Sequence, residues 1–570
     1  MFTVMDIEAK NWKEFLIMGS YDGENYKEHK SIKSFMEYMF SSNHTNSTCY
    51  AHFGGIFDFL YIIDFLFSQN SPTYEMKNII LQGRKMLKFD VISNKRKISF
   101  VDSSGLFPFG LEKLTHSFDV KHKKLKEDVS QLTKVTPELK KYLMHDNKGL
   151  WECLEKFSKT EYINQVGLKL TRSGTSFAVY KQLFNADLPI IPSAVKDFAR
   201  LSYYGGRTEI FKPLYQGYKR PLKVYDINSM YPDAMFRNKY PSEFSHWTVE
   251  LELEELSIYH CIVTCPKNLR IPLLATKSTG KLIFPTGTFE GYFTNVELNK
   301  AVELGYTIDK VFKGAVFNDG GYMFKEFIDH FYNERKNTND PVKKIIYKDI
   351  MNHLYGRLAI NEEREQVTFE MPKEGGKIHS IMDFGTYEIR LYTSTKKIFT
   401  YSNPALSSFV TSYARLNLYS FMESVDFDVY YCDTDSLFTP RKMKSSNELG
   451  AMKLEYELKE ACFLLPKTYA GRLMDGSVIR KMKGFPQKKI GHINFDDFVE
   501  SISGEIRLAP VDIQGGLAGF KTAMKKGEIL YVLPDSTKQL RAKYDKREII
   551  FKNGKYDSIP LTIETPNQIH

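Results

Sequence analysis

The run Tyr430 to Phe438, YYCDTDSLF, sets two aspartates one threonine apart among aromatic and β-forming residues. Side chains on a strand alternate faces, so Asp433 and Asp435 can project to the same side of a hairpin tip. Carboxylates held that close repel each other unless cations neutralise them, and oxygen ligands of this kind suit Mg2+ or Mn2+. A solvated acidic turn is an equally good reading of this run taken alone.

Two further segments shift that balance. Val224 to Pro232, VYDINSMYP, places Asp226 at the end of an apolar, strand-like run and follows it with a turn and Tyr231. Two divalent ions roughly 3.5–4 Å apart need carboxylates from more than one stretch of chain, which makes Asp226 and Asp435 the candidate bridging ligands. By itself the Asp226 run reads more simply as a helix N-cap and loop. Lys344 to Gly356, KIIYKDIMNHLYG, brings Lys344, Lys348, Asn352 and Tyr355 onto one helix face. Lysines on that face can meet a triphosphate while Asn352 and Tyr355 meet base or sugar. A solvated basic face is the usual alternative, and an Asn and a Tyr in the same stripe weaken it.

A second set of acids lies near the start. Asp6 and Glu8, in VMDIEA, share one strand face, Asp58 follows Phe57 in HFGGIFDF, and Tyr142 and Asp146 sit four apart in YLMHD on an expected helix. Four carboxylates and a phenol that can orient water are the parts of a two-metal phosphodiester hydrolase. For any one of these residues alone, an ordinary acidic surface position is the better reading.

Bulk properties narrow the partners. A chain of 570 residues exceeds one typical domain, and 79 Lys plus Arg against 69 Asp plus Glu leave a charge of +10, which favours a polyanion over a metabolite. Basic clusters at Lys121 to Lys126, Arg480 to Lys489 and Lys521 to Lys526 suit a nucleic-acid backbone. The six cysteines form no CxxC pair, and no basic-then-apolar leader or membrane-length apolar run is present. The expectation is a soluble, non-secreted protein in a reducing compartment, with the sequons at Asn43 and Asn46 matching by chance.

The pattern along the chain predicts an α/β region over 1–160, a junction at the paired glycines of SYYGGR (202–207), strands over 222–260 and 428–440, and long helices over 322–358. Segments near 270–325 and 361–395 read as insertions in a discontinuous domain.

Together these runs resemble the A, B and C motifs of family B DNA polymerases, D-x-x-S-L-Y-P, K-x-x-x-N-S-x-Y-G and Y-x-D-T-D-S, in order and separation. The amino-terminal acids are similar to that family's Exo I, Exo II and Exo III motifs. Shorter matches are TSYAR (411–415) to the T-x-A-R element, KTY (467–469) to K-x-Y, and YYGG (203–206) to Y-x-G-G. The resemblance implies a multidomain α/β and α+β fold, with an RNase H-like 3′→5′ exonuclease domain followed by a right-hand polymerase of palm, fingers and thumb with two insertions. The implied limits are exonuclease 1–185, linker 186–221, palm 222–260 and 396–460, insertion one 261–325, fingers 326–360, insertion two 361–395, and thumb with the C-terminal part 461–570.

The same resemblance implies roles. Asp226, Asp435, Asp6, Glu8, Asp58 and Asp146 would bind metal, two Mg2+ or Mn2+ ions per active site, with Asp433, Tyr142 and Lys126 assisting and Asp128 less certain. Lys336, Lys344 and Lys348 would hold the triphosphate, Asn352 and Tyr355 would line its site, and Tyr231 would be the steric gate against ribonucleotides. Tyr203, Gly205, Gly206, Thr411, Arg415, Lys467 and Tyr469 would contact DNA. His52, Phe57 and Ser103 would contact single-stranded DNA or a terminal protein. Three residues depart from the family pattern: Met230 stands for leucine, His353 for serine, and Phe53 for the asparagine that normally follows the Exo II histidine.

The small size and the positions of the two insertions resemble the protein-primed subfamily of phages and linear plasmids. That implies replication of a linear double-stranded DNA from a terminal protein, with template-primer DNA and deoxynucleoside triphosphates (dNTPs) as partners. It also implies a monomer in the host cytoplasm without membrane contact. A DNA-primed family B enzyme and a catalytically degenerate DNA-binding protein are the competing readings; the intact acids and Lys348 argue against the latter.

Overall fold

The computed structural model describes the chain except residues 1, 42, 43, 45, 69–72, 127–132, 185, 218, 219, 278, 362, 363, 369–376, 384–387, 395–400 and 565–570. Asp128, the sequon at Asn43 and parts of the 361–395 segment fall outside the described residues.

Near the amino terminus a seven-stranded sheet runs in the order Tyr26–His29, Glu14–Tyr21, Phe2–Lys10, Thr48–Ala51, Arg96–Asp102, Lys85–Ser93, Glu75–Gln82. Phe2–Lys10 and Arg96–Asp102 both lie parallel to the central Thr48–Ala51, and the outer strands are antiparallel. The long helix Pro137–Ser158 packs on this layer. Thr136 caps it by accepting from Leu139 N at 3.2 Å, with proline at the first turn where no amide hydrogen is needed. Its buried stripe includes Leu139, Leu143, Leu150, Leu154 and Phe157, and Asp146 lies buried among them. A carboxylate on an otherwise apolar stripe is costly unless something compensates its charge.

The central sheet has eight strands. Its path runs Val478–Met482, Thr468–Leu473, Met452–Leu465, Leu222–Ile227, Ser436–Thr439, Tyr431–Asp433, Thr208–Ile210, with Leu214–Gln216 paired to Met452–Leu465. Helix Pro404–Glu423 backs it, starting at the Asn403 cap and burying Leu406, Phe409, Val410, Leu418, Tyr419 and Met422. Each such side chain contributes at most about 1.5–3 kcal/mol by leaving water.

The strand run expected over 222–260 divides between two sheets. Only Leu222–Ile227 joins the central one. Pro241–Thr248 and Ser257–Cys265 pair instead with Thr307–Asp319 and Thr286–Thr294 in a separate five-stranded sheet, closed by Thr562–Ile563 near the carboxyl terminus. Alternation identifies strands but not their partners. The 361–395 segment holds a three-stranded sheet, Arg364–Thr368, Glu388–Ser394, Lys377–Asp383, whose Val367, Ile389 and Leu391 share a core with the amino-terminal layer and with Phe520 and Met524.

Helices Lys325–Asn337 and Pro341–Leu358 are joined by a short turn in which Asp340 caps the second helix, accepting from Val342 N at 2.8 Å. Helix Arg172–Leu183 packs against the second of them: Ser176 donates to the Ile350 carbonyl, and Arg172 pairs with Asp349 at 3.3 Å. His353 lies 3.7 Å from the same Asp349. All six cysteines are free and buried. Among the described residues no helix is long and apolar enough to cross a membrane.

Candidate active sites

At the centre of the eight-stranded sheet, Asp226 sits opposite Ser436 in the antiparallel register, and Ile227 N donates to Asp435 O at 2.8 Å. Asp226 and Asp435 are thereby neighbours although 209 positions apart, the difference of 435 and 226. The hairpin between Tyr431–Asp433 and Ser436–Thr439 turns through Thr434, whose φ is 65°. Gly206 allows that tip to seat: a Cβ there would lie 2.7 Å from Thr434 Cγ2, and Thr434 N donates to Arg207 O at 2.7 Å. Asp433 accepts from Thr208 Oγ1 at 3.1 Å and pairs with Lys467 Nζ at 3.0 Å.

Burial raises the Asp226 carboxyl to about 7, helped by the charges of Asp435 and Glu455 and opposed by Lys348 and Lys453. Asp435 is also raised, first by burial, with Lys467 and Lys348 pulling the other way. Lys348 thus acts on both acids from the helix Pro341–Leu358. Its neighbour Asn352 donates to the Lys348 carbonyl at 2.9 Å, and Lys344 is exposed on the same helix. Tyr355 stacks on Tyr231, with ring centroids 4.4 Å apart and planes at 24°. Tyr203 lies close enough to raise Tyr355 further, and its own hydroxyl is pushed up to about 12, chiefly by burial.

Two members of this site escaped the sequence reading. Arg335 reaches Ser229 Oγ at 3.4 Å, beside Asp226, whereas Lys336, its neighbour in the basic last turn, is exposed. Glu455 stands on the strand next to Asp226 and pairs with Lys453 at 2.8 Å. The ERK run at 334–336 was the available signal for Arg335, and only helix phase selects within it.

The amino-terminal acids also converge. Asp58 accepts from Ile7 N at 2.8 Å, between Asp6 and Glu8 on the strand. Burial raises Asp6 to about 7 and Glu8 to about 8, with Asp146 adding to both and Asp6 to Glu8. Burial also raises Asp58 and Asp146. The lysine that meets them is Lys124, not Lys126. Lys124 is ion-paired with Asp146 and stands 4.3 Å above the Tyr142 ring, while Lys126 is exposed. Burial disfavours the Lys124 charge, but Asp146 and Asp6 more than offset it and the ammonium is held on. Two residues separate the lysines, and an irregular loop gives no periodicity with which to choose between them.

Asp146 Oδ1 is buried without a hydrogen-bond partner. An orphaned carboxylate oxygen beside the buried Asp58 and the half-buried Asp6 and Glu8 fits a cation better than it fits an apolar core. Among the described residues, no three His, Cys, Asp or Glu side chains are already closed on one point as a metal site.

The family model described as "DNA polymerase type B, organellar and viral" matches residues 121–441. This chain belongs to that family. Among its relatives, a "Probable DNA polymerase" of Neurospora intermedia is 28% identical over 530 residues, covering 77% of this chain and 53% of that protein. The "DNA-directed DNA polymerase" of Enterobacteria phage PRD1 is 28% identical over 493 residues, covering 82% of this chain and 81% of the phage protein. The chain therefore spans about half the length of the fungal relative. The solved structure of phi29 DNA polymerase with primer-template DNA and incoming nucleotide superposes with a TM-score of 0.73 at 19% identity, covering 95% of this chain and 100% of that one. That likeness establishes the shared fold.

Within this type B polymerase chain, several residues expected to contact DNA are committed elsewhere. Arg415 is buried, bidentate on Glu297 at 2.8 Å for both contacts, and donates to the Tyr204 and Gly205 carbonyls at 2.8 and 3.1 Å. It fixes the YYGG loop from behind and has no surface to offer a template. Thr411 is buried and bonded to Ser408 O, and Tyr469 is packed among Tyr431, Phe438 and Phe463. Gly205 remains open, with nothing near an added Cβ, and Lys467 is half exposed beside Asp433. Ser103 is fully buried, hydrogen-bonded with His52 Nδ1 at 3.0 Å. It orients His52, whose other ring nitrogen meets Phe109 O at 2.9 Å and whose charged form burial disfavours, to about 4. Phe57 stays partly exposed. Phe53 has φ 60°, a region asparagine tolerates better than phenylalanine, and its ring lies under Lys85 Nζ at 4.5 Å.

Proposed function

We propose that this chain is a DNA-dependent DNA polymerase with a 3′→5′ proofreading exonuclease, acting on template-primer DNA and dNTPs. The observation that carries the reading is the meeting of Asp226 and Asp435 beneath Lys348 and beside the Tyr231–Tyr355 stack. In this reading the seven-stranded layer is the exonuclease domain and the eight-stranded sheet is the palm. The helices of 325–358 are the fingers, and the part of 461–570 beyond the sheet strands Thr468–Leu473 and Val478–Met482 forms the thumb and C-terminal part.

Asp226 and Asp435 would hold the metal ions of the polymerase site, and Asp6, Glu8, Asp58 and Asp146 those of the exonuclease. Bound Mg2+ or Mn2+ supplies charge neutralisation at the transferring phosphate and lowers the pKa of the attacking hydroxyl or water. Lys348 and Arg335 attract and orient the triphosphate from the fingers side, with Lys344 further along the same helix. Lys467 holds Asp433, and through it the hairpin tip, in place. Tyr231 closes the space beside the sugar, which disfavours a 2′-hydroxyl by exclusion. At the nuclease site Tyr142 orients water while Lys124 pairs with Asp146 and opposes the upward pull of burial on its carboxyl.

Protein priming in a host cytoplasm is the finer part of the proposal. Its support is positional: the resemblance puts the terminal-protein and strand-displacement insertions at 261–325 and 361–395, and the strands Thr286–Thr294 and Thr307–Asp319 and the 364–394 sheet fall within those segments, between the motifs.

Primer extension separates these statements. Asp435→Ala is expected to abolish synthesis while single-stranded DNA is still degraded; loss of both activities would refute the separate-site reading. Incubation with a terminal protein, template and labelled dNTP is expected to give a covalent protein–nucleotide adduct, and its absence removes the priming claim.

A further inference from the structure

The strand bearing Asp6 and Glu8 turns back through Lys10, Asn11, Trp12 and Lys13, with Lys13 N donating to Lys10 O at 3.2 Å. Asn11 and Trp12 both have positive φ, 50° and 64°. Two-residue turns of this handedness favour Asn-Gly, because a Cβ at the second position is crowded. Tryptophan is therefore a residue the turn would not select for its own sake, and its indole is 41% exposed.

What surrounds the indole points to a use. Its ring centroid lies 6.0 Å from that of Phe57, at 83°, and Phe57 immediately precedes Asp58. The Tyr61 hydroxyl donates to the Trp12 carbonyl at 2.8 Å, and the Tyr61 ring lies 5.4 Å from Phe57. Lys13, the next residue of the turn, pairs with Glu528. The turn is thus tied down at its backbone and at its neighbour, and an added Cβ on Gly516 would sit 3.9 Å from the indole Cε2, yet the indole keeps 41% of its surface exposed beside Phe57, the residue before Asp58.

We infer that Trp12 adds a second aromatic surface beside Phe57, which the resemblance already assigns to single-stranded DNA, and receives an unpaired base of a single-stranded DNA 3′ end at the Asp6–Glu8–Asp58–Asp146 cluster. The inference rests on the exonuclease reading of that cluster. Aromatic rings stack on any base, so such a surface is indifferent to sequence. It discriminates by strandedness, since a paired terminus already has its base faces covered. Proofreading needs that selection, and Trp12 is a positioning residue for it, touching the strand but not the reacting phosphate.

Two measurements test the assignment. Titrating the whole protein with an oligothymidylate in EDTA, which prevents hydrolysis, is expected to quench tryptophan emission. Trp12→Phe is expected to remove most of that quench, although Trp151 and Trp247 remain. In Mg2+, Trp12→Gly is expected to raise KM for a single-stranded 3′ end about tenfold with kcat little changed, as loss of one stacked base predicts. Trp12→Phe should recover most of that loss. Because glycine suits the turn, the thermal midpoint of Trp12→Gly should hold or rise. An unchanged KM in Trp12→Gly overturns the inference while leaving the nuclease reading in place, above all if its thermal midpoint falls. That pattern would make Trp12 a packing contact against Gly516, whose added Cβ would lie 3.9 Å from the indole. Absence of any hydrolysis by the wild-type protein overturns both.

Discussion

Tyr231 and Tyr355, from helices Met230–Arg237 and Pro341–Leu358 more than a hundred residues apart, stack with centroids 4.4 Å apart and share a hydroxyl hydrogen bond. The stack makes the wall beside Asp226 and Asp435 a joint property of both elements. Tyr231→Ala should raise ribonucleotide incorporation relative to deoxynucleotide by at least about tenfold, a discrimination of ~1.4 kcal/mol. Single-nucleotide kcat/KM ratios for the two sugars measure it, and an unaltered ratio removes Tyr231 as the gate.

Lys124 and Lys126 should separate cleanly in the nuclease assay. Lys124→Ala leaves Asp146 buried beside three acids without its counter-charge and is expected to slow single-strand degradation about 10²-fold. Lys126→Ala, at an exposed position, should fall within a factor of about two. Equal losses from both would show that the loop rearranges around the substrate.

Arg415→Met tests whether this residue is an anchor. Removing it strands a buried Glu297 and frees the Tyr204 and Gly205 carbonyls, so a loss of about 3–5 kcal/mol is expected. Denaturant unfolding reads it directly. A variant of native stability with weakened DNA binding would restore the template-contact role.

The buried acids also fix how the metal-free protein responds to pH. Asp6 and Asp226 are held up at about 7 and Glu8 at about 8, above their ordinary values of 3.8 and 4.5. The folded state therefore binds more protons than the unfolded state between those limits, and stability falls as pH rises from about 4 to 8. Melting in EDTA across that range should show the decline. Saturating Mg2+ should flatten it by binding the ionised native form. A pH-independent midpoint in EDTA would mean that these carboxylates are not buried together.

Much of the chemistry was readable because it is written in local patterns. The D-x-D spacing on a strand, the one-face stripe of Lys344, Lys348, Asn352 and Tyr355, and the Tyr142–Asp146 pair need only the two periodicities of the backbone. Assigning partners was harder. Strand alternation over 241–265 could not show that those residues join a second sheet and not the central one, and the arginine in TSYAR reads alike whether it faces DNA or Glu297.

The residue order by itself therefore determined which acids, lysines and tyrosines this protein can use and which periodic element carries each. Tertiary structure alone decided that Lys124 and not Lys126 meets Asp146, that Arg335 reaches Ser229, and that Ser103, Thr411 and Arg415 are sealed inside. The reason is physical. Local spacing fixes the direction of a side chain relative to its own backbone. Burial and charge pairing depend on what arrives from distant parts of the chain, and that is set by the packing of whole sheets and helices.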